Sequence, residues 1–189
     1  MKGLTFKRVH WLNRELFDAF MELYEASFPW EERRSRQAQC DVLTDAAYHC
    51  HALLDGNTFV GLVCLWETGP CHYLEHLAIT PQYRGRGYGQ EALRRLQQEP
   101  IPLVLDIEPP VDEPTRRRLV FYEKLDFRTN PHDHKFPPYH LGQEPFPMLL
   151  LSYPAPLSAA QHRALSAFLF QHTRCEDSPA HTETFRSDK

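Results

Sequence analysis

The sequence has no long apolar run and no regular cysteine pattern. Among its 189 residues, no segment approaches the roughly 20 consecutive apolar residues that a membrane helix needs. The N-terminus also lacks an apolar stretch of the signal-peptide kind. The five cysteines are odd in number and contain no Cys-x-x-Cys spacing, which favours reduced thiols over disulfides or zinc. These absences predict a cytoplasmic protein with no membrane partner.

An excess of charge of one sign is also absent. The chain carries 21 basic and 25 acidic side chains, a formal net charge of −4, so nothing general favours nucleic acid as a partner. Eleven histidines include the pairs His49/His51 and His132/His134, whose i, i+2 spacing places both rings on one face of a strand. No third or fourth ligand follows with recognisable spacing, so we expect no metal site.

The apolar and aromatic content of the sequence is sufficient for one folded domain. The sequence is 42% hydrophobic and 12% aromatic, which allows a sizeable core in a chain of this length. Hydrophobic periodicity and turn signals predict strands near residues 4–9, 47–54, 58–66, 71–79, 102–108, 126–128 and 148–153. Residues 55–57, Asp-Gly-Asn, are a hairpin signal between the second and third of these strands. The predicted helices lie near residues 13–28, 35–43, 87–98, 115–125 and from 158 onward. Asn13 can cap the first helix, and Ser158 and Gln161 can form a capping box for the last one. This order is typical of an α/β protein with a mixed sheet.

A glycine-rich loop joins an apolar strand to an amphipathic helix, and it reads Arg84, Gly85, Arg86, Gly87, Tyr88 and Gly89. Such a loop offers free backbone N–H groups, a helix N-terminus and two arginines to an anion such as pyrophosphate. It is not a dinucleotide-binding fingerprint, because Gln90 stands where the third glycine belongs, and no Lys-Ser/Thr pair of a P-loop follows. The simpler alternative is a turn that requires positive φ angles.

Arg84, Gly87 and Gly89 fit the pattern Arg-x-x-Gly-x-Gly. With the strand before it and the helix after it, this segment resembles the acetyl-coenzyme A loop of the GNAT superfamily of N-acetyltransferases. The resemblance covers about residues 4–153 and implies an α/β (α+β) fold with a mixed, mostly antiparallel central sheet of six to seven strands and four to five flanking helices. Residues 1–155 would form this domain, residues 156–174 a helix packed on it, and residues 175–189 a disordered tail.

The resemblance implies an activity and a set of coenzyme-binding residues. The activity is transfer of the acetyl group of acetyl-CoA to an amine, small or peptidic, by direct attack in a ternary complex without a metal. The loop amides would face the pyrophosphate, and the preceding strand would bond the pantetheine arm like an added strand. The expected coenzyme-binding set is Leu77, Ala78, Ile79, Arg84, Gly85, Arg86, Gly87, Tyr88, Gly89 and Gln90.

Acidic residues on two strands are candidates for the acceptor side. Glu75 is a carboxylate in an otherwise apolar strand, so burial would raise its pKa and suit it to act as the general base. The alternative is an exposed Glu75, or one that pairs with a nearby arginine. Asp106 and Glu108 alternate on the next strand and point to one face, where they could attract a cationic amine or share the base role. Their alternative is a strand end that meets solvent.

Residues 119–127 resemble the family signature Phe-Tyr-x-x-x-Gly-Phe, which assigns Tyr122 as the proton donor to the coenzyme sulfur. The alternative is a core tyrosine. Two departures stand out: Asp126 replaces the usual glycine, and Thr115 lies near a position often filled by a coenzyme-contacting asparagine. Residues 30–34 and the aromatic segment that ends at Tyr139 are the expected walls of the acceptor site.

Two other functions remain open on the sequence alone. One is a noncatalytic module that binds acetyl-coenzyme A, and the other is an acyltransferase that uses a longer acyl chain. The sequence does not identify the acceptor amine. It also leaves open whether the protein forms a homodimer.

Overall fold

The computed structural model describes residues 3–173, which form eight strands and five α-helices. The strands are β1 Leu4–Arg8, β2 Tyr48–Asp55, β3 Thr58–Glu67, β4 His72–Ile79, β5 Leu103–Ile107, β6 Arg128–Thr129, β7 His134–Phe136 and β8 Phe146–Tyr153. The helices are α1 Arg14–Ser27, α2 Arg36–Val42, α3 Tyr88–Leu96, α4 Glu113–Glu123 and α5 Ala159–His172. The expected mixed fold is confirmed, and the extra strand is β7, which lies in a segment that carries no strand pattern.

The strands form one sheet in the order β1-β2-β3-β4-β5-β8-β6, with β7 also paired to β8. All of these pairs are antiparallel except β4 with β5. The parallel pair is short, because it joins only residues 72–74 of β4 to residues 103–105 of β5. Beyond these residues the two strands separate, and the sheet opens into a cleft.

Each face of the sheet carries its own hydrophobic core. Helix α1 contributes Phe17, Phe20 and Tyr24 to one core, where α5 adds Leu165 and Leu169. The helical spacing of these residues explains why both helices fold against the sheet. The second core, on the other face, contains α3 residues that include Ala92 and Leu93, and α4 packs against its edge. The cleft therefore lies between two rigidly packed layers.

The start of the C-terminal helix follows a recognisable signal. Ser158 and Gln161 form the expected capping box at the start of α5, each side chain bonding the other residue's backbone N–H. The helix ends at His172, so the expected tail at residues 175–189 lies outside the described residues. Within residues 3–173, no helix is long and apolar enough to cross a membrane.

Candidate active site

A cleft of about 530 Å³ opens where β4 and β5 separate. Nine residues that the sequence predicted for the site line it: Glu75, Leu77, Ala78, Ile79, Arg84, Asp106, Glu108, Tyr122 and Tyr139. The other predicted residues, from Gly85 to Gln90, lie in the loop that continues from β4 into α3. The topology thus brings the predicted coenzyme strand, the predicted acid and the acceptor-side carboxylates to one opening.

The main chain of β4 has a free edge along this cleft. Thr80 N–H donates to Val60 O at 3.0 Å, and hydrogen bonding alternates along antiparallel strands. Ala78 therefore bonds toward β3, whereas the N–H and C=O groups of Leu77 and Ile79 point toward the edge that β5 has left. The Ile79 carbonyl accepts a hydrogen bond from Arg84 Nε at 3.0 Å. Leu77 thus presents main-chain groups that an extended ligand could pair with, as an added strand would.

The loop after β4 leaves a row of backbone amides without partners. Gly85 and Gly87 have φ angles of 73° and 85°, which L-residues adopt only with strain. Gly87 is the N-cap of α3 and provides no side-chain cap. Among residues 3–173, the amides from Gly85 to Gln90 donate to no protein acceptor. An anion at this point would meet several N–H donors and the positive end of a helix.

Tyr88 contributes only its backbone amide to this loop. Its side chain turns into the core beside α3, where the hydroxyl donates to Asp55 Oδ2 at 2.6 Å. The Arg86 guanidinium lies 5.4 Å from the centre of the Tyr83 ring. The side chains that remain available to a bound anion are therefore those of the two arginines of the loop.

Glu75 lies at a β-bulge. His76 pairs with Cys64 and Leu74 pairs with Leu65, so Glu75 is an extra residue without a partner in β3. Bulges redirect side chains next to functional sites. This one sends the Glu75 carboxylate into the core, where its exposed fraction is 0%, opposite Arg34 at 2%.

Arg34 grips the Glu75 carboxylate with two parallel hydrogen bonds. Arg34 Nη1 donates to Oε2 at 2.7 Å, and Nη2 donates to Oε1 at 2.9 Å. Tyr48 O–H donates to Oε2 at 2.8 Å, and Trp66 Nε1–H donates to Oε1 at 3.1 Å. The guanidinium is also enclosed by aromatic rings, including that of Tyr139 at 5.1 Å. Every lone pair of the carboxylate is thus engaged by the protein.

The expectation that the pKa of Glu75 is raised is wrong. Burial by itself does raise it, but the positive charge of Arg34 and the hydrogen bond from His76 outweigh burial and hold the pKa of the Glu75 carboxyl well below its ordinary value. The same pairing raises the pKa of Arg34. A carboxylate held in this way is a weak proton acceptor. The alternative of a pair with an arginine is the arrangement that the structure has.

Tyr122 lines the cleft from α4. Burial raises the pKa of its phenol to about 12, so the hydroxyl stays protonated and available as a donor at neutral pH. No residue between 3 and 173 hydrogen-bonds this hydroxyl. Asp126, which replaces the family glycine, has a φ of 63°, a conformation that aspartate tolerates. Thr115 is engaged in a capping box with Asp112, so it does not stand in for the asparagine of relatives.

Besides Glu75, three carboxylates line the cleft. Glu108 pairs with Arg118 at 2.5 Å, and Asp106 Oδ2 lies 3.0 Å from His134 Nε2. The third is Glu32, in the turn Trp30–Glu32 that follows α1. No ion pair or hydrogen bond to the Glu32 carboxylate occurs within the described residues. Burial and then the charge of Glu108 raise the pKa of Glu32.

Two segments meet over this side of the cleft. The Trp30 ring stacks on the His140 ring, with centroids 4.0 Å apart and planes at 11°. His140 Nε2 also lies 2.8 Å from Trp30 O. The turn after α1 and the segment between β7 and β8 are thereby joined, and Glu32 and Tyr139 of these segments line the cleft. Arg34, at the end of the expected wall, is instead buried beside Glu75.

The sequence pointed to residues 30–34 as a wall and to His134 as one of a histidine pair. It did not predict the Arg34–Glu75 pair, the position of Glu32 in the cleft or the His134–Asp106 contact. A glutamate inside an apolar strand signals a buried cation, but the sequence offers many cations and Arg34 lies 41 residues away. Glu32 and His134 stand in segments without periodicity, where no pattern indicates direction. Among residues 3–173, no group of three or more His, Cys, Asp or Glu side chains could hold a metal ion.

Comparison with known families agrees with this geometry. The model of the acetyltransferase (GNAT) family matches residues 13–127, well over half of the chain. This chain belongs to the GNAT acetyltransferase family. Membership of this family supports transfer of the acetyl group of acetyl-CoA as the general chemistry of the cleft described above.

Solved structures show the same GNAT fold. A GNAT-family acetyltransferase from Bacteroides thetaiotaomicron is 27% identical, with a TM-score of 0.79 over 89% of this chain and 96% of that one. NAA60 from Arabidopsis thaliana, solved with acetyl-CoA, is 15% identical, with a TM-score of 0.58 over 80% and 98%. The ribosomal-protein-S18-alanine N-acetyltransferase from Escherichia coli is 15% identical, with a TM-score of 0.57 over 83% and 97%. A search among curated proteins finds no match.

Proposed function

We propose that this GNAT protein is an N-acetyltransferase that moves the acetyl group of acetyl-CoA to a cationic amine by direct attack in a ternary complex. The observation that carries the proposal is the row of unpartnered amides from Gly85 to Gln90, which continues from the free edge of β4. A pyrophosphate needs such donors, and an extended pantetheine arm needs such an edge. The cleft lining runs along β4 to Arg84, the first residue of the loop, so the two features adjoin.

The coenzyme-binding residues of the proposal act mainly through the backbone. The amides of Gly85, Gly87 and Gly89 and their neighbours bind the pyrophosphate, while Arg84 and Arg86 add positive charge. Leu77 pairs with the pantetheine arm, and Ala78 and Ile79 shape the strand beside it. A helix N-terminus contributes about half an elementary charge to such a site.

Charge favours a cationic acceptor. The Arg34–Glu75 and Arg118–Glu108 pairs are each neutral overall, so Glu32 and Asp106 outweigh Arg84, the remaining arginine of the lining, and leave the cleft with net negative charge. Several neighbours in fold act on amines according to their names, but these range from a ribosomal-protein alanine to an aminoglycoside. The names therefore support an amine acceptor, and the carboxylates support a positively charged one.

The reaction requires the amine to lose a proton before it attacks. An alkyl ammonium has a pKa near ~10.4, so deprotonation at pH 7 costs about 3 pH units, or roughly 4–5 kcal/mol. Glu75 is held by Arg34, so the proposal gives the proton-accepting role to Glu32, whose pKa is raised by burial. Asp106 holds the cation beside it, while Glu108 stays paired with Arg118, and Tyr139 forms part of the wall. The freed nitrogen lone pair forms the new C–N bond as the thioester C–S bond breaks.

Tyr122 stabilises the departing sulfur in this proposal. Its pKa of about 12 exceeds that of a thiol, near ~8.5, so complete proton transfer from the phenol is unfavourable by roughly 5 kcal/mol. The phenol therefore acts as a hydrogen-bond donor to the developing thiolate. The proton that finally resides on the thiol derives from the amine.

A turnover assay tests the proposal. Purified protein is incubated with acetyl-CoA and a panel of alkyl amines, diamines and peptides, and free thiol is measured over time. We expect at least one cationic amine to accelerate thiol release, with acetylated amine as the product. Binding of acetyl-CoA without release on any amine would indicate the noncatalytic module instead. Faster release from a longer acyl-CoA would indicate the alternative acyltransferase.

A further inference from the structure

His134 is a buried histidine that touches a cleft carboxylate. It lies on β7, and its Nε2 is 3.0 Å from Oδ2 of Asp106 on β5. The exposed fractions of the two side chains are 0% for His134 and 9% for Asp106. Asp106 lines the cleft, whereas His134 does not. Any effect of His134 on a bound ligand must therefore pass through Asp106.

Within residues 3–173, the His134 imidazole makes one hydrogen-bond contact, the one with Asp106. His134 Nδ1 is buried and has no hydrogen-bond partner within residues 3–173. The ring of His162 packs against it, with centroids 5.5 Å apart. A neutral imidazole carries its proton on one nitrogen, and the carboxylate beside Nε2 favours that nitrogen. The ring thus presents an N–H donor to Asp106 and no other hydrogen bond.

We propose that His134 is the residue that positions Asp106 for the acceptor: His134 Nε2–H holds Oδ2 and directs Oδ1 to the cleft, where Oδ1 binds the ammonium group. This inference rests on the proposed function, because it assumes an amine acceptor at Asp106. Tyr73 contributes to the same setting, since its buried ring lines the cleft next to this carboxylate. A fixed carboxylate binds a cation without first losing rotational freedom.

The test compares substitutions that keep or remove the N–H donor. In His134→Gln the side-chain amide nitrogen reaches close to the position of Nε2, but it cannot titrate. His134→Leu removes the donor, and His134→Asn keeps a polar group that is too short to reach Oδ2. His162→Gln is the matched control, because His162 touches the same ring without bonding Asp106.

The readouts are the dissociation constant of a cationic diamine, measured by calorimetry with coenzyme A present, and the KM for that amine. We expect His134→Leu and His134→Asn to weaken amine binding about 10-fold, with the affinity for coenzyme A unchanged. His134→Gln should stay within about threefold of the wild type, and so should His162→Gln. If His134→Leu does not fold, the comparison of His134→Gln with His134→Asn carries the test.

Three outcomes would overturn the inference. His134→Gln could be as impaired as His134→Leu, which would mean that His134 transfers a proton. His162→Gln could weaken binding equally, which would mean that ring packing matters and the hydrogen bond does not. The wild type could bind no amine, which would remove Asp106 as an anchor. Wild-type turnover on the amine panel reports separately on the proposed function, so the two failures can be told apart.

Discussion

Replacement of Glu75 by glutamine distinguishes a structural carboxylate from a catalytic base. The substitution keeps the shape of the side chain but leaves the Arg34 guanidinium buried without a counter-charge. Breaking a buried ion pair by removing one partner costs about 3–5 kcal/mol. The free energy of unfolding of a domain is about 5–15 kcal/mol, so Glu75→Gln should remove a large part of it. For a chain of this size, the midpoint of thermal unfolding should fall by roughly 10 °C.

Urea denaturation at several pH values measures this effect. The folded-state pKa of Glu75 is lowered, so its stabilising contribution is fully present above the unfolded pKa, near ~4.3. The contribution is lost as the pH falls from there toward the folded pKa. The stability difference between the wild type and Glu75→Gln should therefore shrink below about pH 4.

Two further variants complete the experiment. Glu67→Gln is the control, because Glu67 is an exposed partner of His49 and surface pairs contribute about 0–1 kcal/mol. The double variant Arg34→Met/Glu75→Leu should recover part of the lost stability, because it removes both buried charges but leaves the Tyr48 hydroxyl and the Trp66 N–H without their acceptor. The reasoning is refuted if Glu75→Gln unfolds within about 1 kcal/mol of the wild type while its kcat collapses. That result would restore Glu75 as the base.

The remaining predictions concern the loop, the phenol and the proton acceptor. Gly87→Ala should lower the free energy of unfolding by about 1–2 kcal/mol because φ is positive there, and it should also weaken acetyl-CoA binding. Gly89→Ala should keep the stability of the wild type in calorimetry, because its new methyl group makes only ordinary contacts. Tyr122→Phe should lower kcat about 10- to 100-fold and leave the dissociation constant of acetyl-CoA unchanged; equal kcat would make Tyr122 a core residue. Because the pKa of Glu32 is raised, kcat/KM should begin to decrease, as the pH is lowered, above the pH at which an ordinary carboxyl group becomes protonated. Glu32→Gln should abolish this decrease; an unchanged pH profile would mean that another group accepts the proton.

Local signals in the sequence predicted most of the fold. The hairpin signal at residues 55–57 corresponds to the β2–β3 turn, where Asp55 pairs with Thr58. The Asn13 cap, whose side chain accepts from Leu16 N–H, and the α5 capping box also follow from neighbouring residues. The short strand β7 was missed because three residues carry too little alternation to stand out, and its pairing with β8 depends on long-range contact.

The features of the site also divide into those that local residues indicate and those that depend on distant contacts. The glycine loop and the free strand edge depend on backbone conformation, which local residue types indicate. The state of Glu75 depends on Arg34, and that of Asp106 on His134, and each partner lies on a distant segment. Sequence spacing shows that a carboxylate is present, but the charge and hydrogen bonds that set its pKa come from the tertiary structure.

Backbone amide NMR during titration with acetyl-CoA tests the central claim most directly. The account predicts saturable binding, with the largest shift changes at the amides from Gly85 to Gln90 and at Leu77. The chemical shifts of amides on more distant strands, such as that of His51 in β2, should stay unchanged. Binding that leaves the glycine amides unmoved, or no binding at millimolar acetyl-CoA, would contradict the account.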